Sequence, residues 1–597
     1  MHDTKQVRTA AATRLAIGLA QGIVLFLLQK ADESKAWPAT QPMLYAPLLI
    51  CALMVPMIPL AALSAMRRPA LIVWSLIAAA VAAIMAVHAA WVGASPDRIG
   101  AGPLSPPVFI AVAALVFIAH HLVQPAEAVR KPVAPYVDYF DLVGTNVVRL
   151  FLSLAFTGAF WLLLFLAAAL FKLIGIEAIQ ELIGETAFAF PATGLMFAAA
   201  VHMAVQLTEA RAGLVRGVRT VALVLLAWLL PLMVVIAGGF LATLPFTGLA
   251  PLWGTKAATA LLLAAAAALI ILVNAAYQDG GEPPHAILRW AARAASLLLI
   301  PIVILAAYAL WLRVDQYGLT PDRVFAAAYL VVAVGFTAGY TLAALRPAPW
   351  MKPLEPTNLI MAAICMLLLI ALFTPIADPA RLSVTSQVKR LEAGKVTAAK
   401  FDFQFLRFDS GRYGRDALAG LKTSRDAEIA KRAGEVLAQK EKTYTPTKQR
   451  GPDFAHMTVY PAGKTLPASF RDQDWTAAGS DSTCLFAGMR CSALLMDIDG
   501  DGTEEVLLAS GSVLDIFKSG DRGWRRMAQA NGICPGVDID AALKAGAVSL
   551  AEPRPRQDLI VGDQRLAVVP AGDGCAAPAP PLKDALVTRE ASKPPPR

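Results

Sequence analysis

Long apolar runs follow one another through the first 375 residues, separated by short polar interruptions. Crossing roughly 30 Å of hydrocarbon as a helix takes about 20 residues. Runs of that kind lie near 11–29, 43–65, 69–93, 106–124, 148–172, 187–208, 220–245, 257–277, 294–312, 324–345 and 357–375. They number eleven, so the two ends of the chain fall on opposite sides of a bilayer. The first run is read as an uncleaved helix rather than a secretion signal, because no small-x-small site follows at QKADESKAW. Beyond 375 the pattern changes. Residues 384–440 read as helical, with FDFQFLRFDSGRYGRDALAGL followed by SRDAEIAKRAGEVLAQKEK, whose Lys and Glu suit a solvated face. From 453 onward HMTVY, ALLM, EVLLAS, VLDIFKS, WRRMAQA, DLIVG and RLAVVP are short apolar runs between turn signals, which predicts strands, and SGDRG suits a hairpin connection. The Pro- and Ala-rich tail ending SKPPPR reads as disordered.

The expected fold class is therefore an α-helical polytopic membrane bundle followed by a small α+β soluble domain. Its expected divisions are a transmembrane domain at 1–375, a helical neck at 376–450, a β-rich domain at 451–576 and a tail at 577–597.

Composition agrees with two solvents acting on one chain. The sequence is 57% hydrophobic and 16% charged, with a mean hydropathy of +0.56, outside the soluble norm. The net charge of +9 would suggest nucleic acid in a soluble protein. Here the cations sit around the membrane runs, and no nucleic-acid partner is read from them. Lys and Arg are retained on the cytoplasmic side of short loops. With the N-terminus inside, that side holds Lys5, Arg8, Arg14, Arg67, Arg68, Arg130, Lys131, Arg149, Arg211, Arg216, Arg219, Arg289, Arg293, Arg346 and Lys352. The other side holds only Lys30, Lys35, Arg98, Lys172, Lys256, Arg313 and Arg323. The bias predicts N-in and C-out topology, a multi-pass location in a bacterial inner membrane, and a periplasmic C-terminal domain.

Cysteine usage points the same way. Cys51 and Cys365 fall in apolar runs, whereas Cys484, Cys491, Cys534 and Cys575 belong to the soluble part, where an exported domain would hold two disulfides. Four cysteines allow three pairings, and short-loop closure favours Cys484 with Cys491, leaving Cys534 with Cys575.

The strongest chemical motif is MDIDGDGTEEVLLAS at 496–510. Asp497, Asp499 and Asp501 occupy alternate positions of a tight turn that Gly502 permits; Thr503 would offer its backbone carbonyl, and Glu505 follows. Converging carboxylates suit calcium, a hard cation that accepts six to eight oxygens. An EF-hand would need a Glu at its twelfth position and flanking helices, but Leu508 stands there between strand-like flanks. The loop resembles the D-x-D-G-D-G-x-x-D/E loop of FG-GAP and integrin-type β-propeller repeats, which implies a structural calcium; a single copy does not make a propeller.

Ionisable groups within spans are costly and count as functional candidates. They are His88, the adjacent pair His120 and His121, and His202, with Asn274 near a helix end. Neighbouring histidines point about 100° apart on a helix, so only one of His120 and His121 is expected inside the bundle.

The stretch Tyr136–Ile176, YVDYFDLVGTNVVRLFLSLAFTGAFWLLLFLAAALFKLIGI, together with YGLTPDR at Tyr317–Arg323 and FLRFDSGRYG at Phe405–Gly414, resembles the bacterial membrane proteins of the DUF4153 family. The resemblance implies a shared membrane architecture without an assigned reaction, so no catalytic residues carry over. Gly158 in this stretch is expected to admit a neighbouring helix.

No G-x-S-x-G, H-E-x-x-H or G-x-x-x-x-G-K-[ST] pattern sits on suitable elements. The expected role is thus an envelope-associated or recognition protein with the lipid bilayer and a periplasmic or envelope component as partners, leaning away from an enzyme. The alternatives are an enzyme resembling the C-type lipid-linked glycosyltransferases, for which Asp32 and Glu33 lie in the first outer loop although the separated acidic pattern of those enzymes is missing, and a transporter, which predicts weak internal symmetry between halves that is not visible in the sequence.

Overall fold

The computed structural model describes residues 2–94, 106–249, 252, 257–346, 348–439, 442, 454, 457–475, 482–485, 489, 491–510, 513–521, 523–530, 539–548, 550, 559–561 and 564–566. Two compact units divide the chain, Met1–Lys442 and Thr443–Arg597.

The first unit is helical: α1 (His2–Glu33), α2 (Pro42–Met54), α3 (Met57–Ala62), α4 (Arg68–Gly93), α5 (Pro106–Val129), α6 (Tyr136–Leu173), α7 (Ala178–Gly184), α8 (Thr186–Ala210), α9 (Ala212–Ala227), α10 (Leu229–Thr247), α11 (Ala258–Tyr277), α12 (Ala286–Tyr317), α13 (Pro321–Leu345), α14 (Leu354–Leu372), α15 (Pro379–Glu392), α16 (Gly411–Leu421) and α17 (Ala427–Ala438). Among the described residues eleven segments are long and apolar enough to cross a membrane, and each coincides with one of the expected runs. The seventh, Ala212–Thr247, is interrupted at Trp228, where α9 gives way to α10. Pro231 explains the position: it cannot donate to the Ala227 carbonyl four residues back, and its ring crowds that group.

Apolar side chains face outward along these helices, and alanine dominates the interior. Ala266, Ala275, Ala276, Ala292, Ala295, Ala306 and Ala343 pack in one cluster with Leu269, Leu299 and Tyr340. Small residues let backbones approach where lipid supplies no hydrophobic drive between helices. Backbones approach closely where α1 meets α8. A Cβ on Gly18 would strike the Gly194 carbonyl, one on Gly194 would strike the Gly18 carbonyl, and Gly22 meets the backbone of Phe190 and Pro191. Gly158, expected to serve this purpose, faces open space. The close-packing pair is Gly18 and Gly22 of GLAQG, four positions apart on one face of α1.

In the second unit five strands, β1 (Thr458–Tyr460), β2 (Ser492–Met496), β3 (Glu505–Ser510), β4 (Val513–Gly520) and β5 (Gly523–Ala530), form a sheet in sequential order. β1 runs parallel to β2, and the remaining pairs are antiparallel. Alternation along β2 and β3 supplies both faces. Ala493, Leu495, Val506 and Leu508 pack with Phe470, Trp475, Phe517 and Trp524, while Leu494, Leu507 and Ala509 pack with Leu543. The expected SGDRG connection is the β4–β5 turn, closed where Gly520 faces Gly523. A further two-stranded pair joins Leu559–Val561 to Gln564–Leu566. The expected tail at 577–597 lies outside the described residues.

Candidate functional site

Asp378 is followed by Pro379, the pairing that starts a helix: the carboxylate caps, and proline at the first position gives up an N–H that has no partner anyway. Its Oδ1 accepts from the Arg381 amide at 3.0 Å. Its Oδ2 lies 2.8 Å from His88 Nε2 on α4. A carboxylate only accepts, so Nε2 is the donor. Both residues are buried, at 8% and 7% exposure, although neither end of the chain segment joining them is near the other in sequence.

The pair borders a cleft of about 650 Å³ at one end of the bundle, which also gathers Gln29 and Asp32 from α1, Tyr45 from α2, Phe325 from α13 and Asp409 to Gly411. Asp32 and His88, expected separately from the sequence, therefore share one space. Glu33 is absent from its lining. The FLRFDSGRYG segment closes the cleft over the end of α4. Gly411 has a φ of +57°, and a Cβ there would strike the Val92 carbonyl, so only glycine lets this turn dock. Arg412 stacks on Trp91 at 4.7 Å, and Arg415 donates to the Ala94 carbonyl. Tyr413 meets Trp91 edge-on at 5.2 Å; burial first, and Asp378 second, push its phenol above the ordinary value.

The remaining membrane histidines lie apart from this cleft. His120 and His121 are both buried, correcting the expectation that only one would be. They face different neighbours: Trp74 Nε1 on α4 donates to His120 Nδ1 at 3.2 Å, while His121 Nε2 meets Asn146 Nδ2 on α6 at 3.1 Å. Both border a cavity of about 270 Å³ with Asn146 and Arg149. His202 Nδ1 lies 3.0 Å from Arg14 Nη1. Arg14, counted among the loop charges, is instead fully buried in α1, where it also donates to the Leu60 carbonyl and Ser64 Oγ at 3.0 Å each. Asn274 donates to Tyr340 Oη at 2.5 Å and accepts from Asn358 at 2.7 Å, completing a structural polar network.

The acidic motif forms the β2–β3 connection. Gly500 and Gly502 have φ of +75° and +87°, and their amides donate to the two Asp497 oxygens at 2.7 and 2.9 Å. One oxygen each from Asp497, Asp499 and Asp501 fall within 4.8 Å of one another, a hard-oxygen set that fits calcium. Thr503 turns its amide and hydroxyl to Asp501 Oδ1. Glu505, 1% exposed, accepts from the Ile498 amide at 2.9 Å. The sequence reading missed Lys518 on β4. Its ammonium binds Asp499 and Asp501 and lies 3.6 Å from Glu505 Oε1. Its hydrogen bond first, then those from Thr503, hold Asp501 below the usual carboxylate range. Asp499 first, then Asp501, hold Lys518 above the usual amine range. Only the hairpin register, which brings residue 518 beside residue 499, reveals this contact.

Cys484 and Cys491 are joined in a disulfide with Cα atoms 5.7 Å apart. Cys51 and Cys365 are free thiols. Cys534 and Cys575 lie outside the described residues.

A family model described as a domain of unknown function, DUF4153, matches residues 48–422. That span takes in His88, Asp378 and Asp409 of the cleft but neither the acidic loop nor the soluble-domain cysteines. No curated protein and no solved structure matches the chain.

Proposed function

The chain belongs to the DUF4153 family, and from that membership and the cleft we propose an envelope protein of a bacterial inner membrane that takes a hydrophilic ligand into the periplasmic end of its bundle. The observation that carries this reading is the 2.8 Å contact of His88 with Asp378 in a cleft that also holds Asp32 and Asp409. A buried histidine–carboxylate pair beside two further carboxylates is costly to keep in a membrane protein, and such groups mark ligand or proton paths. The positive-inside bias supports an N-terminus in the cytoplasm, which makes this end periplasmic together with the C-terminal domain. That domain would present a recognition surface to a periplasmic or envelope partner, stabilised by calcium at Asp497, Asp499, Asp501, Thr503 and Glu505 and by disulfides of Cys484 with Cys491 and Cys534 with Cys575.

The same cleft favours a second reading, a membrane enzyme acting on a lipid-linked substrate, because Asp32 and the His88–Asp378 pair together offer acid–base chemistry. Deleting the gene in its host and restoring it as wild type or as His88→Gln tests both. The proposal expects heightened sensitivity to detergents and large antibiotics in the deletion, cured by wild type and not by an equally abundant variant. Full rescue by His88→Gln would exclude the cleft as the working site.

A further inference from the structure

A second and larger space, about 970 Å³, lies between α11, α12 and α13. Its mouth holds Arg313, Arg323 and Tyr317, the last two from the YGLTPDR motif; its floor is apolar, with Leu263, Ala267 and Phe325 among its lining. The guanidinium of Arg323 lies 5.5 Å, and that of Arg313 6.0 Å, from the Tyr317 ring centre. Arg390 on α15 stands close enough to add its charge and donates to the Asp315 and Gln316 carbonyls at 2.8 and 2.6 Å. One carboxylate, Asp322, also borders the mouth, so the cations outnumber it. Like charges gathered on one ring repel, and an anion between them relieves that repulsion.

The dimensions match one leaflet. The lining runs on α11 from Thr259 to Ile270 and on α13 from Asp322 to Ala333, roughly 16 Å at 1.5 Å per residue, against about 15 Å for half of the hydrocarbon core. The cations stand at the helix ends and the apolar floor descends from them. From this charge and depth we infer that the groove holds an anionic phospholipid of the adjoining leaflet, with its phosphate at Arg313 and Arg323 and an acyl chain along α11 and α13. A soluble anion would not need the apolar floor, and an uncharged lipid would not need the arginines. The inference stands independently of the ligand in the His88 cleft, although Phe325 borders both spaces and would set the lipid headgroup beside it.

The test uses the full-length protein in nanodiscs or mild detergent, titrated with phosphatidylglycerol, with phosphatidylcholine, and with inorganic phosphate, and read by native mass spectrometry. Two basic groups at an anionic lipid predict about a thirtyfold preference for phosphatidylglycerol over phosphatidylcholine. Arg313→Gln with Arg323→Gln should abolish the preference, and Ala267→Phe, which fills the floor while keeping both arginines, should reduce retention of phosphatidylglycerol. Phosphate alone should bind weakly and survive Ala267→Phe. Equal retention of both lipids, an unchanged preference in the folded double-arginine variant, or unchanged retention of phosphatidylglycerol in folded Ala267→Phe would overturn the inference.

Discussion

His88 Nε2 and Asp378 Oδ2 meet at 2.8 Å across 290 residues of sequence. The contact ties the end of α4 to the start of α15, so it couples the membrane bundle to the helices that follow it. Removing one partner leaves the other buried without its hydrogen bond, which costs about 1–3 kcal/mol for a polar group and more for a charge. His88→Leu should therefore lower the melting temperature of the purified protein clearly, and His88→Gln, which can still donate, should lower it less. Asp378→Ala should be the most damaging, because it also removes the α15 cap, worth about 1 kcal/mol. Equal melting temperatures for wild type and His88→Leu would mean that the pair adds nothing to stability.

The α1–α8 contact gives a packing prediction. Gly194→Leu places a side chain where the Gly18 and Gly22 backbones already lie, so the helices must separate; overpacking of this kind costs about 1–3 kcal/mol or more. Gly158→Leu, pointing into open space, should be tolerated. Size-exclusion profiles and expression levels of the two variants compare them directly, and equal behaviour would refute the asymmetry.

Calcium at the acidic loop would have to displace Lys518, whose ammonium holds Asp499 and Asp501. If calcium stabilises the loop, an excess of about a hundredfold over Kd adds roughly 2.7 kcal/mol, seen in the full-length protein as slower proteolysis of the second unit. Asp499→Asn should abolish the protection, and Lys518→Met should tighten calcium binding by removing the competing ammonium. Indifference to calcium in both wild type and Lys518→Met would leave the lysine as the loop's own counter-ion. The Asp501–Lys518 pair itself should show a flat response near neutrality. The depressed Asp501 keeps its contribution above the usual carboxylate range and loses it as pH falls through its lower folded value. The raised Lys518 keeps its contribution below the usual amine range and loses it as pH rises through its higher folded value. Exposure and salt make this term small.

Thiol chemistry checks the compartment. In protein from cells with an intact periplasm, denaturing and non-reducing labelling should mark Cys51 and Cys365 only. Labelling of Cys484 and Cys491 would place the second unit in a reducing compartment.

Much of this organisation can be read from local sequence. Eleven apolar runs are statements about twenty-residue windows, and the strand runs after 453 alternate or punctuate in ways that survive folding. The hairpin at SGDRG and the turn at Gly502 are likewise local. What escaped was set by distance or by neighbours. Asp378 carries an N-cap signature, yet nothing in ADPARL announces that a histidine 290 residues away completes it. His120 and His121 defied the one-face rule because α5 has a polar partner on each of two sides, Trp74 and Asn146. Arg14 counted as a loop charge because its partners, Leu60, Ser64 and His202, arrive from other helices. Lys518 stayed hidden until the β3–β4 register set it against the acidic turn.

Side-specific labelling of Asp32→Cys and Asp409→Cys decides whether the His88–Asp378 cleft opens to the periplasm. Both residues border the cleft and neither makes the His88–Asp378 contact. Intact cells are treated with a small, charged maleimide that crosses the outer membrane but not the inner one, and modification at positions 32 and 409 is then mapped by mass spectrometry. Labelling at both positions in intact cells, blocked at Arg211→Cys until the inner membrane is permeabilised, is the predicted result. Labelling at 32 and 409 only after permeabilisation, with Arg211→Cys reactive beforehand, would invert the topology and put the cleft on the cytoplasmic side.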